Sequence, residues 1–160
     1  MSSEVEWVLD ELSSVVAAVS EPLVRVNRDT SELLEDSARS MTGDLTDANF
    51  VGATLADVSS TPIGTEYDHR REAVVGVRIE GLHHSEWGHI DPDGVEGIAF
   101  DSLVNQIRDA LLAQRTFPDA GGTDVSYTDL RIENEAPQSA NYSDYFRHDL
   151  DVRFVGYENL

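Results

Sequence analysis

The spacing of apolar positions predicts two amphipathic helices. In residues 4–19 and again in residues 100–115, apolar side chains recur every third or fourth position, which places them on one stripe of a helix. Pro118 follows the second segment closely, where helices commonly stop. Trp7 is predicted to lie on the face opposite the first stripe. The stripes consist of Val5, Val8, Leu9, Leu12, Val15, Val16 and Val19 in the first segment, and of Phe100, Leu103, Val104, Ile107 and Leu111 in the second.

Alternating apolar and polar residues predict strands elsewhere in the chain. The alternation is clearest in residues 73–80, where Val75, Val77 and Ile79 point one way. Shorter strands are predicted at residues 23–27 and 50–56, a turn at 61–64, and two long strands at 125–133 and 145–157. This order predicts an α+β fold, with an N-terminal helix and one long crossing helix packed on an antiparallel or mixed β-sheet.

The chain is expected to form a single domain over residues 1–160, since this length buries a core without metal or disulfide support. Two segments, 29–65 and 81–97, are polar and are predicted to be rich in loops. A short helix is expected at residues 31–37, and a polar connection at residues 134–142.

The charge of the chain is extreme. It has 31 acidic and 11 basic residues, a formal net charge of -20, and every basic residue is arginine. Self-repulsion of this size is relieved in molar salt, where the Debye length falls to about 3 Å. The composition therefore predicts a halophilic protein. It argues against a nucleic-acid-binding surface, because such a surface needs clustered cations. Because cysteine is absent, disulfides and thiol catalysis are excluded, and no apolar run approaches the ~18 residues of a membrane span.

The densest group of chemically active side chains lies in residues 83–93. His83, His84 and His89 stand there among three carboxylates, a set of donors that suits zinc, nickel or manganese. The spacing does not match the HExxH helix motif, so an acidic surface loop is favoured and the three histidines remain weak metal candidates. No Gly-x-Ser-x-Gly elbow and no phosphate-binding glycine loop occurs. We therefore expect no catalytic residues, no cofactor and no enzymatic activity.

Aromatic residues outside the predicted core are candidates for an interface. Tyrosine and tryptophan are concentrated in interfaces because a large apolar ring carries a polar edge, although the same rings also serve in cores. The candidates are Trp7, Trp87, Tyr142, Tyr145 and Tyr157.

Three segments carry a resemblance to a known family. The strand VVGVRIE at residues 74–80, the helix LVNQIRDALL at 103–112 and the strand YFRHDLDVRF at 145–154 stand in an order that resembles tail-terminator and tail-completion proteins of tailed viruses. The resemblance covers residues 1–28 and 66–157, and residues 29–65 have no counterpart. Together with the salt-adapted composition, the chain resembles a haloarchaeal virus or provirus version of that family.

The resemblance implies a structural virion protein. Such a protein would form a ring, expected to be a hexamer, at the head-proximal end of the tail tube, in contact with the tail-tube protein and the neck or connector proteins. It would assemble in the host cytoplasm, and DNA would pass through its lumen without specific binding, which suits an acidic surface that repels phosphate. The alternatives are a neck or connector protein of the same virion, a metal-binding protein using His83, His84 and His89, and a halophile adaptor unrelated to viruses.

Overall fold

The computed structural model describes residues 3–18, 24–27, 49–64, 67–81, 100–113, 120–122, 124–137 and 146–159. These ranges contain two helices and five strands, which confirms the α+β class. In chain order the elements are α1 (Glu4–Ala18), β1 (Val24–Asn27), β2 (Asn49–Pro62), β3 (Asp68–Gly81), α2 (Phe100–Ala113), β4 (Val125–Pro137) and β5 (Phe146–Asn159).

The strands form one sheet in the order β1-β2-β3-β5-β4. The short β1 runs parallel to β2, whereas the other neighbours are all antiparallel. Since β3 and β4 both run antiparallel to β5, they run parallel to each other. Helix α2 lies between β3 and β4 in the chain, and β5 lies between these two parallel strands in the sheet.

The core lies on one face of this sheet. Strand residues alternate between faces, and the register places Ala73 opposite Phe154 and Val75 opposite Val152 on the same face. These four residues belong to the same buried cluster as the apolar residues of both helices. Both helices therefore pack on this side, which we term the helix-covered face. In α2 the buried residues are the predicted stripe: Phe100, Leu103, Val104, Ile107 and Leu111.

Helix α1 begins at a reciprocal cap. The Ser3 hydroxyl accepts the N–H of Glu6 at 3.2 Å, and the Glu6 carboxylate accepts the N–H of Ser3 at 3.4 Å. The predicted position of Trp7 is wrong, because Trp7 is only 8% exposed and its ring meets Phe154 edge to face at 5.5 Å between centroids. Because α1 contacts α2 as well as the sheet, its buried arc is wider than the aliphatic stripe indicates.

The hairpin of β2 and β3 is longer than the alternation predicted. Strand β2 continues through residues 57–62, inside a segment expected to be rich in loops, and β3 begins five residues before the predicted start at residue 73. The turn closes with the N–H of Ile63 donating to the carbonyl of Asp68 at 3.0 Å, while Gly64 takes a φ of 104°. The added residues are mostly polar on both faces, so they carry no alternation for the sequence to reveal.

The connection predicted at residues 134–142 begins later than expected. Strand β4 continues to Pro137 through an irregularity between Glu133 and Ala136, where Asn134 has a positive φ of 53°. A bulge of this kind lets a strand absorb extra residues and keep pairing.

The short helix predicted at residues 31–37 lies outside the described residues, as do residues 82–97 of the predicted polar loop. Neither described helix has the length and apolarity needed to cross a membrane.

Candidate functional site

The face of the sheet opposite the helices is lined with charges. On β3 and β5 the positions between the core residues project to this side, and the register places Arg78 opposite Asp149 and Glu80 opposite Arg147. Opposite charges at facing positions stabilise neighbouring strands. We term this surface the charged face. Its charged residues on the two central strands are Asp68, Arg70, Glu72, Arg78 and Glu80 of β3 and Arg147, Asp149, Asp151 and Arg153 of β5.

Ion pairs on the charged face connect three strands. Asp149 accepts Arg78 Nε at 3.3 Å and Arg147 Nη2 at 3.1 Å. Arg153 bridges Glu72 on β3 at 3.2 Å and Glu133 on β4 at 2.8 Å. The side chains of Arg153 and Glu72 are each 28% exposed, so these pairs are screened less than pairs in open water. The network ties β3, β5 and β4 together on the side away from the core.

Cations in the described part of the chain are bound to carboxylates. Each arginine whose side chain the structure describes forms at least one ion pair. A guanidinium held by carboxylates is a poor phosphate ligand, because binding an anion would require breaking the existing pair. The paired arginines are Arg70, Arg71, Arg78, Arg108, Arg131, Arg147 and Arg153.

A shallow depression of about 220 Å³ opens on the charged face above Gly76. Arg78, Asp149 and Asp151 line it, and they already have partners: Arg78 pairs with Asp149, and Asp151 accepts the side-chain amide of Asn134 at 2.9 Å. The polar groups around the depression therefore hold the strands to one another. This open hollow lacks the enclosure typical of small-molecule sites.

A second polar cluster lies on the helix-covered face, where α1 begins. The Tyr127 hydroxyl donates to Glu4 Oε1 at 2.5 Å, and Arg71 Nη2 donates to the same oxygen at 2.8 Å. Arg71 Nε also donates to the Tyr127 oxygen at 2.9 Å. Glu4 and Tyr127 are both buried. The three residues, which we term the Glu4 cluster, bind the first turn of α1 to β3 and β4.

The protonation states in the Glu4 cluster are fixed by its geometry. Burial alone raises the pKa of Glu4, but the hydrogen bonds from Tyr127 and Arg71 outweigh it and hold that pKa below its usual value. Burial and the neighbouring carboxylate of Glu4 raise the pKa of Tyr127, so its phenol remains a donor. With an ionised Glu4 and a protonated Tyr127 at neutral pH, the cluster holds α1 to β3 and β4 and does not act as an acid–base pair.

Ser60 and His69 form a contact that no sequence pattern predicted. The Ser60 oxygen lies 3.1 Å from His69 Nδ1, and the Ser60 hydroxyl donates to Glu158 Oε1. The other oxygen of Glu158 accepts Arg71 Nη1 at 3.3 Å, which links this group to the Glu4 cluster. Because the serine proton is directed to Glu158, His69 is not placed to withdraw it, and the arrangement lacks the nucleophile–base geometry of acyl transfer. The three residues face each other across strands, and their spacing in the sequence follows no motif.

Of the predicted interface residues, the structure describes two. Trp7 lies in the core and offers no ring to a partner, whereas Tyr157 is 50% exposed on the charged face. Among the described residues, no group of three or more histidine, cysteine, aspartate or glutamate side chains is arranged to hold a metal ion. Six predicted site residues lie outside the described residues: His83, His84, Trp87, His89, Tyr142 and Tyr145.

Exposed apolar side chains that the sequence analysis missed gather on one hairpin. Leu55, Val58, Ile63 and Tyr67 are all exposed on β2 or on the turn that leads to β3. In the sequence they are scattered among serine, threonine and aspartate, and the strand order places β2 next to the edge of the sheet.

Comparison with known proteins gives no match: no family model and no curated protein is significantly similar to the chain.

Proposed function

We propose that this chain is a structural virion protein of a haloarchaeal tailed virus or provirus. In this proposal it is the tail terminator, which forms a hexameric ring at the head-proximal end of the tail tube and joins the tube to the neck. The observation that supports the proposal most is the order of the elements in residues 68–159: a strand, a helix, and two antiparallel strands in one sheet. That order is the one on which the family resemblance rests.

In this proposal α2 is the crossing helix of the family. It joins β3 to β4, two parallel strands with β5 between them, and it buries one side against the helix-covered face. A helix in this position covers the side of the sheet opposite the charged face.

The charged face supports a role in letting DNA pass. Its arginines are held by carboxylates, and the whole chain has a formal net charge of -20. Stable DNA binding depends on cations that replace counterions at the phosphates, and a surface without available cations gives no such attraction. A ring with this character around its lumen would allow DNA to slide through without being held.

The composition supports assembly in concentrated salt. A chain with no lysine and a large excess of carboxylates suits molar salt, where repulsion between like charges is screened over about 3 Å. The proposed partners are further copies of the chain, the tail-tube protein and the neck or connector proteins, with the virion as the final location.

The test is assembly of the full chain in molar KCl. Light scattering should give the mass of a hexamer, electron microscopy should show rings, and addition of tail-tube protein from the same genome should give tubes capped at one end. A neck or connector protein would instead bind the portal complex and leave tube ends uncapped. A chain that stays monomeric at every concentration and ignores tube protein would rule out the proposal, as would a gene neighbourhood of metabolic enzymes in place of portal, capsid and tube genes.

A further inference from the structure

The sheet ends in two edges that no described strand covers. Strand β4 lies at one end of the strand order, and this 13-residue strand pairs only with β5 among the described residues. At the other end, β1 pairs with residues 49–52 of β2 and stops there, so residues 53–62 have no described neighbour on their outer side. Backbone groups along such edges are available to pair with another strand.

The directions of the strands make these two edges compatible. Strand β2 is antiparallel to β3, β3 to β5, and β5 to β4, so β2 and β4 run in opposite directions. A second copy placed beside β4 in the same orientation therefore presents its β2 antiparallel to that strand. The alternation of directions then continues from one copy into the next without a break.

We propose that copies of this chain associate by strand addition, with β4 of one copy pairing with residues 57–62 of β2 in the next. The contact joins two different surfaces, so it is heterologous, and contacts of this kind close into rings when the rotation between copies permits. This inference rests on the proposed ring and names the surface through which the ring would form.

The lengths of the regular stretches on the two edges agree. An irregularity at Ala56 separates residues 57–62 of β2 from the rest of the strand. In β4, irregularities at Thr128 and after Glu133 leave residues 129–133 regular. Bulges interrupt edge pairing. The contact therefore has a defined span of about five residues on each strand, the length of an ordinary strand pair.

On each face of the sheet, the side chains of the β2 edge and the β4 edge have similar polarity. On the helix side of this span, β2 carries Val58, which is 38% exposed, and β4 carries the partly buried Ile132. Strand addition would cover these apolar groups and join the two cores.

The opposite side of the contact is polar. There β2 presents Asp57 and Ser59, both exposed. Strand β4 presents Arg131, whose side chain is 52% exposed and pairs with Asp129 of its own strand. With Ser59 opposite Arg131, the long side chain of Arg131 can reach Asp57 diagonally across the strands. Glu133, which would face Asp57, is already paired with Arg153 of its own copy at 2.8 Å.

A pair of matched variants tests the contact in molar KCl. Val58→Asp places a charge within the proposed contact, whereas Ile63→Asp adds the same charge on a residue that is 46% exposed in the turn outside it. Because both side chains are already exposed, each variant should melt within a few degrees of the native chain. Light scattering should show that Val58→Asp weakens self-association about tenfold or more, which corresponds to ~1.4 kcal/mol, and that Ile63→Asp assembles normally.

Disulfide cross-linking gives an independent test, since the chain has no cysteine of its own. Ser59→Cys combined with Arg131→Cys places thiols on opposite edges of one sheet, separated by three strand spacings or about 14 Å. That distance excludes a bond within one copy. Mild oxidation should therefore yield covalent multimers, whereas a control with Asp109→Cys on the exposed side of α2 and Arg131→Cys should not.

The outcomes separate this inference from the proposed function. Rings that survive Val58→Asp and give no Ser59–Arg131 cross-link would overturn strand addition and leave the tail-terminator proposal intact. Open filaments that are broken by Val58→Asp and captured by the cross-link would support strand addition and contradict the closed ring. A strictly monomeric chain would overturn both.

Discussion

The two faces of the sheet stabilise the same strands by different physics. On the helix-covered face, β3 and β5 meet through apolar pairs such as Val75 with Val152, which are completely buried. One residue further along each strand, the charged face pairs Gly76 with Asp151, and then Arg78 with Asp149. Neighbouring residues of one strand therefore stabilise the sheet in different ways. Residues on one face remove apolar surface from water, and residues on the other face form partly screened ion pairs.

The difference in magnitude shows which face determines the fold. Truncating a buried aromatic or aliphatic side chain costs about 2–5 kcal/mol, whereas a solvent-accessible ion pair contributes about 0–1 kcal/mol. The first contribution changes little with salt, and the second weakens as salt is added. We infer that the helix-covered face supplies most of the stability and that the charged face adjusts it to the ionic environment.

The largest contrast is expected between Phe154→Ala and Tyr157→Ala, three residues apart on β5. Phe154 is fully buried and its ring contacts Trp7 at 5.5 Å and Tyr127 at 5.1 Å between centroids. Removing it should lower the free energy of unfolding by about 4 kcal/mol. Tyr157 is half exposed on the charged face, so its removal should cost less than about 1 kcal/mol. Urea unfolding in molar KCl measures both; equal losses would contradict the division between the faces.

A second contrast uses two glycines of the sheet. A Cβ on Gly156, on the helix-covered face, would collide with the backbone of Ser126 and Tyr127 in β4. Gly156→Ala must push that strand away and should cost about 3 kcal/mol. A Cβ on Gly76, on the charged face, would meet its nearest atoms at an ordinary 3.8 Å.

Gly76→Ala is the matched control for that substitution. Because alanine fits there without displacement, its free energy of unfolding should stay within about 1 kcal/mol of the native value. Thermal melting of both variants in molar KCl distinguishes the sites. If Gly156→Ala melts like Gly76→Ala, the close approach of β4 to β5 is not present in solution.

The residues of both faces of the central strands were largely predictable from the sequence, whereas the ion pairs that connect the strands were not. Apolar spacing identifies α2 and the core side of β3, because one-sided burial leaves a period that can be read. Apolar spacing placed Trp7 on the wrong side of α1, because α2 packs against α1 and widens its buried surface. The Glu4 cluster joins residues 4, 71 and 127, and neither spacing nor composition relates such distant positions. The edges of the sheet follow from the strand order, which only the fold provides.

Among the described residues of the helix-covered face, those of the Glu4 cluster are where charge is expected to matter most. Glu4→Gln leaves buried donors on Tyr127 and Arg71 with a weaker acceptor, so it should cost about 2 kcal/mol at neutral pH. The pKa of Glu4 is lowered in the folded state, so its stabilising effect is present above its unfolded pKa and is lost as the pH falls through the lower folded pKa.

The measurement is the difference in unfolding free energy between the native chain and Glu4→Gln as a function of pH. This difference should be constant from neutral pH down to about 4.5 and should shrink below it. Glu6→Gln is the control, because Glu6 lies exposed in the same turn and glutamine preserves its capping hydrogen bond. A difference that grows on acidification would contradict the assigned role of Glu4.

The smallest expected effect lies on the charged face and depends on salt. Arg153→Gln removes two ion pairs that connect β5 to β3 and β4, while Arg131→Gln removes the same charge but only one exposed pair within β4. At the lowest salt that keeps the chain folded, Arg153→Gln should cost about 1 kcal/mol and Arg131→Gln about 0.3 kcal/mol. Since both variants raise the net negative charge equally, the gap between them isolates the bridging pairs from general repulsion. That gap should close in molar KCl, and a gap independent of salt would mean that Arg153 acts by packing of its side chain and not by charge.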